Sequence, residues 1–144
     1  MKFKDIMSRN LQIVGQDNSL KDAAVKMGCI NVGSLPVVQN GHPIGILTDR
    51  AIAIRGIAQG KNPASTTVGE IMTSDIIACD EDQDIEEGAH LMGDKQVRRV
   101  LVVDRQKNLV GVVSLGDIAT RTKDIDLSGE TLEDISHSEY ISHK

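Results

Sequence analysis

The sequence predicts an α+β fold of two β-α-β-β-α copies, packed through their sheets about a pseudo-twofold axis. Three observations predict it. Residues 5–40 repeat at 70–105 with a constant offset of 65, and the offset becomes 66 beyond a turn. Within each copy the apolar positions switch from helical spacing to short, near-continuous runs. Each copy has about sixty residues and few large side chains, too little to be more than marginally stable alone.

The repeat has thirteen identities between residues 5–55 and 70–121. Ile6-Met7 lies on Ile71-Met72, Met27-Gly28 on Met92-Gly93, Val37-Val38 on Val102-Val103, and Gly45 on Gly111. Ile52-Ala53 meets Ile118-Ala119, and Arg55 meets Arg121. The one-residue slip falls between Asn40-Gly41-His42 and Arg105-Gln106-Lys107-Asn108, in a turn, where insertions are tolerated.

Each copy opens with a short amphipathic segment, Phe3 to Met7 or Val68 to Met72. A short strand follows near Leu11–Val14 or Ile76–Cys79. Leu20, Ala23, Ala24 and Met27, like Ile85, Ala89 and Met92, have the spacing of one helical face. Ser19 and Asp84 suit the N-caps, and Gly28 and Gly93 suit the ends. Two strands then form a hairpin, Leu35–Gln39 with Ile44–Thr48 and Val100–Asp104 with Leu109–Ser114. Asn40-Gly41 is a strong hairpin signal. The run Val100-Leu101-Val102-Val103 predicts a strand covered on both faces. A second helix closes each copy, Asp49 to about Ala58 and Leu115 to about Lys123. The expected organisation is a first repeat over 3–59, a linker over 60–67, a second repeat over 68–123 and an acidic, mobile tail over 124–144, with a helical turn near Thr131–Ile135.

Composition narrows the function. Of 144 residues, 40% are hydrophobic and 26% charged, as in a globular protein. Phe3 and Tyr140 are the only aromatics, so the core is aliphatic. The net charge is −5, and residues 123–144 hold two lysines against six acids, which leaves the body near neutral. A chain with no basic stripe and no stacking aromatics is not expected to bind nucleic acid. No apolar run is long enough for a bilayer, and the N-terminus has no signal-peptide core. Cys29 and Cys79 form no CxxC; both read as small buried hydrophobes and reduced thiols, which points to the cytoplasm.

Catalysis is not expected. The histidines at 42, 90, 137 and 143 join no recognisable nucleophilic or metal-binding motif, and there is no P-loop, no dinucleotide fingerprint and no HExxH. No metal site and no required cofactor are expected.

Taken in order, the doubled motifs resemble those of the cystathionine-β-synthase (CBS) domain pair, or Bateman module. They are Asp/Glu-Ile-Met followed by Ser8 or Thr73; Leu35-Pro36-Val37-Val38 with Val100-Leu101-Val102-Val103; and Gly45-Ile46-Leu47-Thr48 with Gly111-Val112-Val113-Ser114. A helix containing Ile-Ala ends each copy. The resemblance covers about residues 3–122. It implies a stand-alone regulatory module that binds an adenine nucleotide or related adenosyl ligand between repeats: AMP, ADP, ATP, S-adenosylmethionine or NAD(H). It also implies a homodimer, and leaves room for a partner protein. A ligand-free scaffold for dimerisation or docking is the alternative.

The candidate site follows the family signature Gly-hydrophobic-hydrophobic-Ser/Thr-x-x-Asp. Ser114 stands where a strand becomes a helix, so its hydroxyl and the following free amides suit a phosphate. Asp117, one turn on, suits both hydroxyls of a ribose. Ser-x-x-Asp equally fits a capping box that needs no ligand. Arg99, with Arg98 beside it, stands where relatives carry a phosphate-facing base; a solvated strand end is the other reading. Gly33, with Ser34, replaces those arginines in the first copy and allows close approach to the backbone. The first copy also has Ala51 where the second has Asp117. Two residues along a helix turn a side chain by about 200°, so Asp49 is no substitute. The cleft with Thr48 and Pro36 is therefore the weaker one.

Overall fold

The computed structural model describes the backbone of residues 1–122 and 124–142, and side chains through Ser136. The chain forms two compact units. One is continuous, residues 12–76; the other joins residues 1–11 to residues 77 onward. The units do not coincide with the sequence repeats. Each repeat's opening segment lies in the unit that holds the body of the other repeat.

In the continuous unit, Asn18 Oδ1 accepts the Gly15 amide (2.7 Å) and sets up the turn into the first long helix. Ser19 is the N-cap and accepts the Asp22 amide (3.1 Å). Helix α2 covers Leu20–Ile30 and buries Leu20, Ala23 and Met27. It runs past Gly28 and ends at Asn31, whose φ of 57° is the left-handed cap that glycine was expected to supply. Strands β1 (Ser34–Gln39) and β2 (His42–Thr48) are antiparallel. Asn40 and Gly41 join them with φ of 54° and 84°, the two positive values of a type I′ turn. The expected strand at Leu11–Val14 is reduced to a single parallel bridge, Val14 to Val37. Helix α3 (Asp49–Ala51) continues as π-helical turns over Ile52–Ile57. Residues 60–67 are tied down: the Leu20 and Lys21 amides donate to the Thr66 and Pro63 carbonyls. Helix α4 (Val68–Ile71) completes this unit.

The discontinuous unit repeats the plan, with α1 (Phe3–Ile6) in the place of α4. Its sheet has the order β3-β4-β5: β3 (Ala78–Asp80) is parallel to β4 (Arg99–Val103), and β5 (Leu109–Ser114) is antiparallel to β4. The Val100–Val103 run is buried throughout, as a strand covered on both faces requires. In the longer turn, Asp104 Oδ1 accepts the amides of Gln106 and Asn108 (2.9 Å each), which absorbs the extra residue. Helix α5 (Ile85–Lys95) starts after Asp84 and ends at Gln96, φ 57°. Gly93 therefore does not end it. Helix α6 (Leu115–Asp117) continues as π-helical turns over Ile118–Thr122; the expected end at Lys123 lies outside the described residues.

The acidic stretch expected to be mobile is helical. Helix α7 covers Ile125–Ser142, and Asp124 Oδ1 accepts the Leu127 amide at its start (3.0 Å). Leu127, Thr131 and Ile135 recur every four residues, share one face and are buried. This face meets α5 at Gly93, where an added Cβ would stand 3.0 Å from Asp134 Cβ. Among the described residues of α7, two apolar side chains and a threonine form the buried face of a helix whose composition is otherwise acidic.

The exchanged opening segments are held by size-matched contacts. Met7 fills the space left by Gly111, and Met72 that left by Gly45, where a Cβ would lie 2.6 Å from the sulfur. The next residue then adds to the sheet. Ser8 exchanges both backbone hydrogen bonds with Val112, and Thr73 exchanges both with Ile46. The glycine that opens each Gly-hydrophobic-hydrophobic motif is thus the seat of the other repeat's methionine. Phe3, fully buried, lies directly over Gly88.

Candidate functional site

The discontinuous unit brings four of the sequence-predicted residues together. Sheet register sets Arg99, first in β4, opposite Ser114, last in β5. The Arg98 carbonyl accepts the Leu115 amide (2.9 Å), which fixes the start of α6 against the start of β4. Both arginine side chains are exposed. Asp117 follows one turn after Ser114.

Ser114 and Asp117 form a reciprocal capping box. Ser114 Oγ accepts the Asp117 amide (3.1 Å), and Asp117 Oδ2 accepts the Ser114 amide (2.9 Å). Two of the amides expected to be free after Ser114, those of Leu115 and Asp117, are therefore engaged within the protein. The cap and a ligand are not exclusive alternatives. The Ser114 hydroxyl still has its proton to donate, and each carboxylate oxygen has a second lone pair. Asp117 stays about one-fifth exposed.

One further residue joins this cluster that neither motif nor alignment singles out. Arg121 lies four residues after Asp117, and its Nε stands 3.7 Å from Asp117 Oδ1. Its Nη1 also donates to the Ile6 carbonyl (3.0 Å). The i,i+4 spacing from Asp117 and the identity with Arg55 were the available signals.

The remaining predicted residues belong to the continuous unit. Gly33 takes the place that Arg98 has in the other unit: its carbonyl accepts the Asp49 amide (2.9 Å). A Cβ on Gly33 would lie 3.1 Å from Asp49 Oδ2, so that carboxylate covers the backbone where close approach was expected. Thr48 Oγ1 caps the Ala51 amide (3.0 Å) with no reciprocal carboxylate. Pro36 is buried, and its carbonyl accepts the Val14 amide (3.1 Å).

The cysteines part company. Cys79 is buried, and burial pushes its thiol up to about 11. Cys29, expected to be buried too, is exposed, because α2 turns that position outward beside Gly28. Among the described residues, no group of three or more His, Cys, Asp or Glu is placed to hold a metal ion. Nor, among them, is any helix long and apolar enough to cross a membrane.

The fold defines a class of protein, a module of two tandem copies of one α+β unit. The CBS domain family model matches residues 3–55 and 68–124, and the chain belongs to that family. CBS domain pairs are regulatory modules. The CBS domain-containing protein YhcV of Bacillus subtilis is 39% identical over 134 residues, covering 93% of this chain and 94% of that protein. Among solved structures, Hypoxic Response Protein I with two coordinated zinc ions is 36% identical, with a TM-score of 0.75 over 83% of this chain and 97% of that one. The CBS domain pair of protein MJ0100, in complex with 5′-methylthioadenosine and S-adenosyl-L-methionine, is 32% identical, with a TM-score of 0.72 over 85% of this chain and 99% of that one.

Proposed function

We propose that the chain is a non-catalytic regulatory module that binds an adenosine-type ligand at Ser114, Asp117 and Arg99, with Arg98 at the rim. The observation that carries this is the register of β4 and β5, which sets a guanidinium-bearing residue opposite a capped serine one turn from a half-buried carboxylate. In this reading Asp117 accepts the ribose hydroxyls, while Ser114 and Arg99 face a phosphate or the carboxylate of an adenosyl amino-acid ligand. The MJ0100 complex, at 32% identity, supports the adenosyl class. The continuous unit, with Ala51 and a covered Gly33, makes the poorer site. A homodimer is part of the proposal, since Ile54 and Ile57 stand exposed on the helical segment after β2.

Calorimetry with AMP, ADP, ATP, S-adenosylmethionine and NADH tests the proposal. At least one should bind, and Asp117→Ala should abolish it. Silence from the whole panel, with an unchanged melting temperature and a stable dimer, would favour the ligand-free scaffold. Binding that survives Asp117→Ala would overturn this placement of the site.

A further inference from the structure

We infer that Arg121 is a positioning residue that couples Asp117 to the chain's opening segment; its consequence for ligand binding rests on the reading above. One guanidinium serves two partners. Nε faces Asp117 Oδ1 at 3.7 Å, and Nη1 donates to the Ile6 carbonyl at 3.0 Å. Ile6 is the last residue of α1, and a carbonyl there has no partner within its own helix. The carboxylate thus anchors the side chain that caps α1.

The other copy is an internal comparison. Arg55, the counterpart of Arg121, donates to the Ile71 carbonyl (2.8 Å) and to Thr73 Oγ1 (2.9 Å), so it clamps the equivalent opening segment. Ala51 stands where Asp117 would be, and that clamp has no carboxylate behind it. The two arginines share the clamp; only Arg121 links it to the proposed ligand site.

The link leads somewhere. Beyond Ile6, Met7 sits in the space left by Gly111, Ser8 pairs with Val112, and the chain leaves the unit after Leu11. A ligand whose hydroxyls occupy Asp117 weakens its hold on Arg121, and the opening segment loosens. Reciprocity requires that loosening the segment also change the affinity at Asp117. Arg121 is about half exposed, so the coupling is small, roughly two- to fivefold in any equilibrium it touches, as for exposed ion pairs.

Hydrogen exchange of a peptide spanning residues 1–8 tests this without any ligand. Arg121→Gln should speed exchange there roughly two- to fivefold. Asp117→Asn, which keeps an oxygen for the Ser114 amide, should speed it as well, although the hydrogen bonds and ion pair of Asp117 go to Ser114 and Arg121 and not to that peptide. The double variant should be no faster than Arg121→Gln alone. Arg121→Lys keeps the charge, so Asp117→Asn should still act in that background. An Asp117→Asn protein with wild-type exchange at residues 1–8, or effects that simply add, would overturn the coupling. AMP then serves as the probe. If calorimetry shows it binding, the wild-type segment must loosen and the Arg121→Gln segment must not respond; a bound but unresponsive wild type overturns the coupling. If AMP does not bind, the ligand reading loses that nucleotide while the variant cycle still decides the coupling.

Discussion

Gly88→Ala is the most informative single change. By helix propensity alone it should help, since alanine is favoured over glycine by about 1 kcal/mol in a helix interior. The structure reverses the sign. A Cβ at residue 88 would overlap two carbons of the Phe3 ring, and both residues are buried. Forcing extra volume into a packed core costs about 1–3 kcal/mol. A rigid ring with nowhere to go belongs at the upper end, so the net loss should be about 1–2 kcal/mol. Phe3→Val alone should cost about 2 kcal/mol through the cavity it leaves. The continuous unit already holds the compensated pair. Its counterparts are Val68 and Ala23, both buried in one core cluster. The double variant Phe3→Val, Gly88→Ala should therefore be more stable than the sum of its parts predicts, by about 1 kcal/mol or more. Denaturant unfolding of the four proteins measures this. Additive effects, or a Gly88→Ala protein more stable than the parent, would refute the packing argument and the pairing of Phe3 with the second repeat.

Three further outcomes rest on burial and hydrogen bonding elsewhere in the structure. At pH 8 a disulfide-exchange reagent should titrate one thiol rapidly in the native protein, the exposed Cys29, and reach Cys79 only on unfolding; two fast equivalents would contradict its burial. The Thr67 amide, joined by its hydroxyl, holds Glu70 below the ordinary glutamate range, so Glu70 contributes stability above its unfolded pKa and loses it as pH falls through the lower folded value. Glu70→Gln should therefore flatten the acid limb of denaturant midpoint against pH, and an unaltered limb would count against that hydrogen bond. Ile135→Ala should cost about 2–4 kcal/mol if α7 is docked on α5; a silent substitution would return that segment to solvent.

The sequence made the doubled architecture plain because repetition shows twice. The type I′ turn, the Ser19 cap and the buried Val100–Val103 strand were all legible from local chemistry. What stayed hidden was non-local. Phe3–Met7 looks like the opening of the first repeat because it comes first, and only the complementary sizes of Met7 and Gly111, or Phe3 and Gly88, assign it to the second body. Gly28 and Gly93 look like helix ends because glycine usually is one, whereas Asn31 and Gln96 take the left-handed positions. Helix α7 was obscured by its acids: Leu127, Thr131 and Ile135 are sparse, and a spacing of four drifts around a helix of 3.6 residues per turn. In the proposed site, motif points to Ser114 and Asp117 and alignment to Arg99, and the fold brings these three positions near one another. Arg121 was missed because its role depends on the Ile6 carbonyl, more than a hundred residues away in sequence.

The exchange of opening segments also decides where this polypeptide can be divided. A cut between the repeats gives two halves, each missing its own lid and carrying the other's, so neither half can finish its core unless they meet again. A cut before Gln12 and after Ile76 gives something different: one uninterrupted piece with its own core cluster and α4 already attached at its far end. That piece is a circular permutation of the repeat. In this chain the unit of duplication and the compact structural unit are offset from one another.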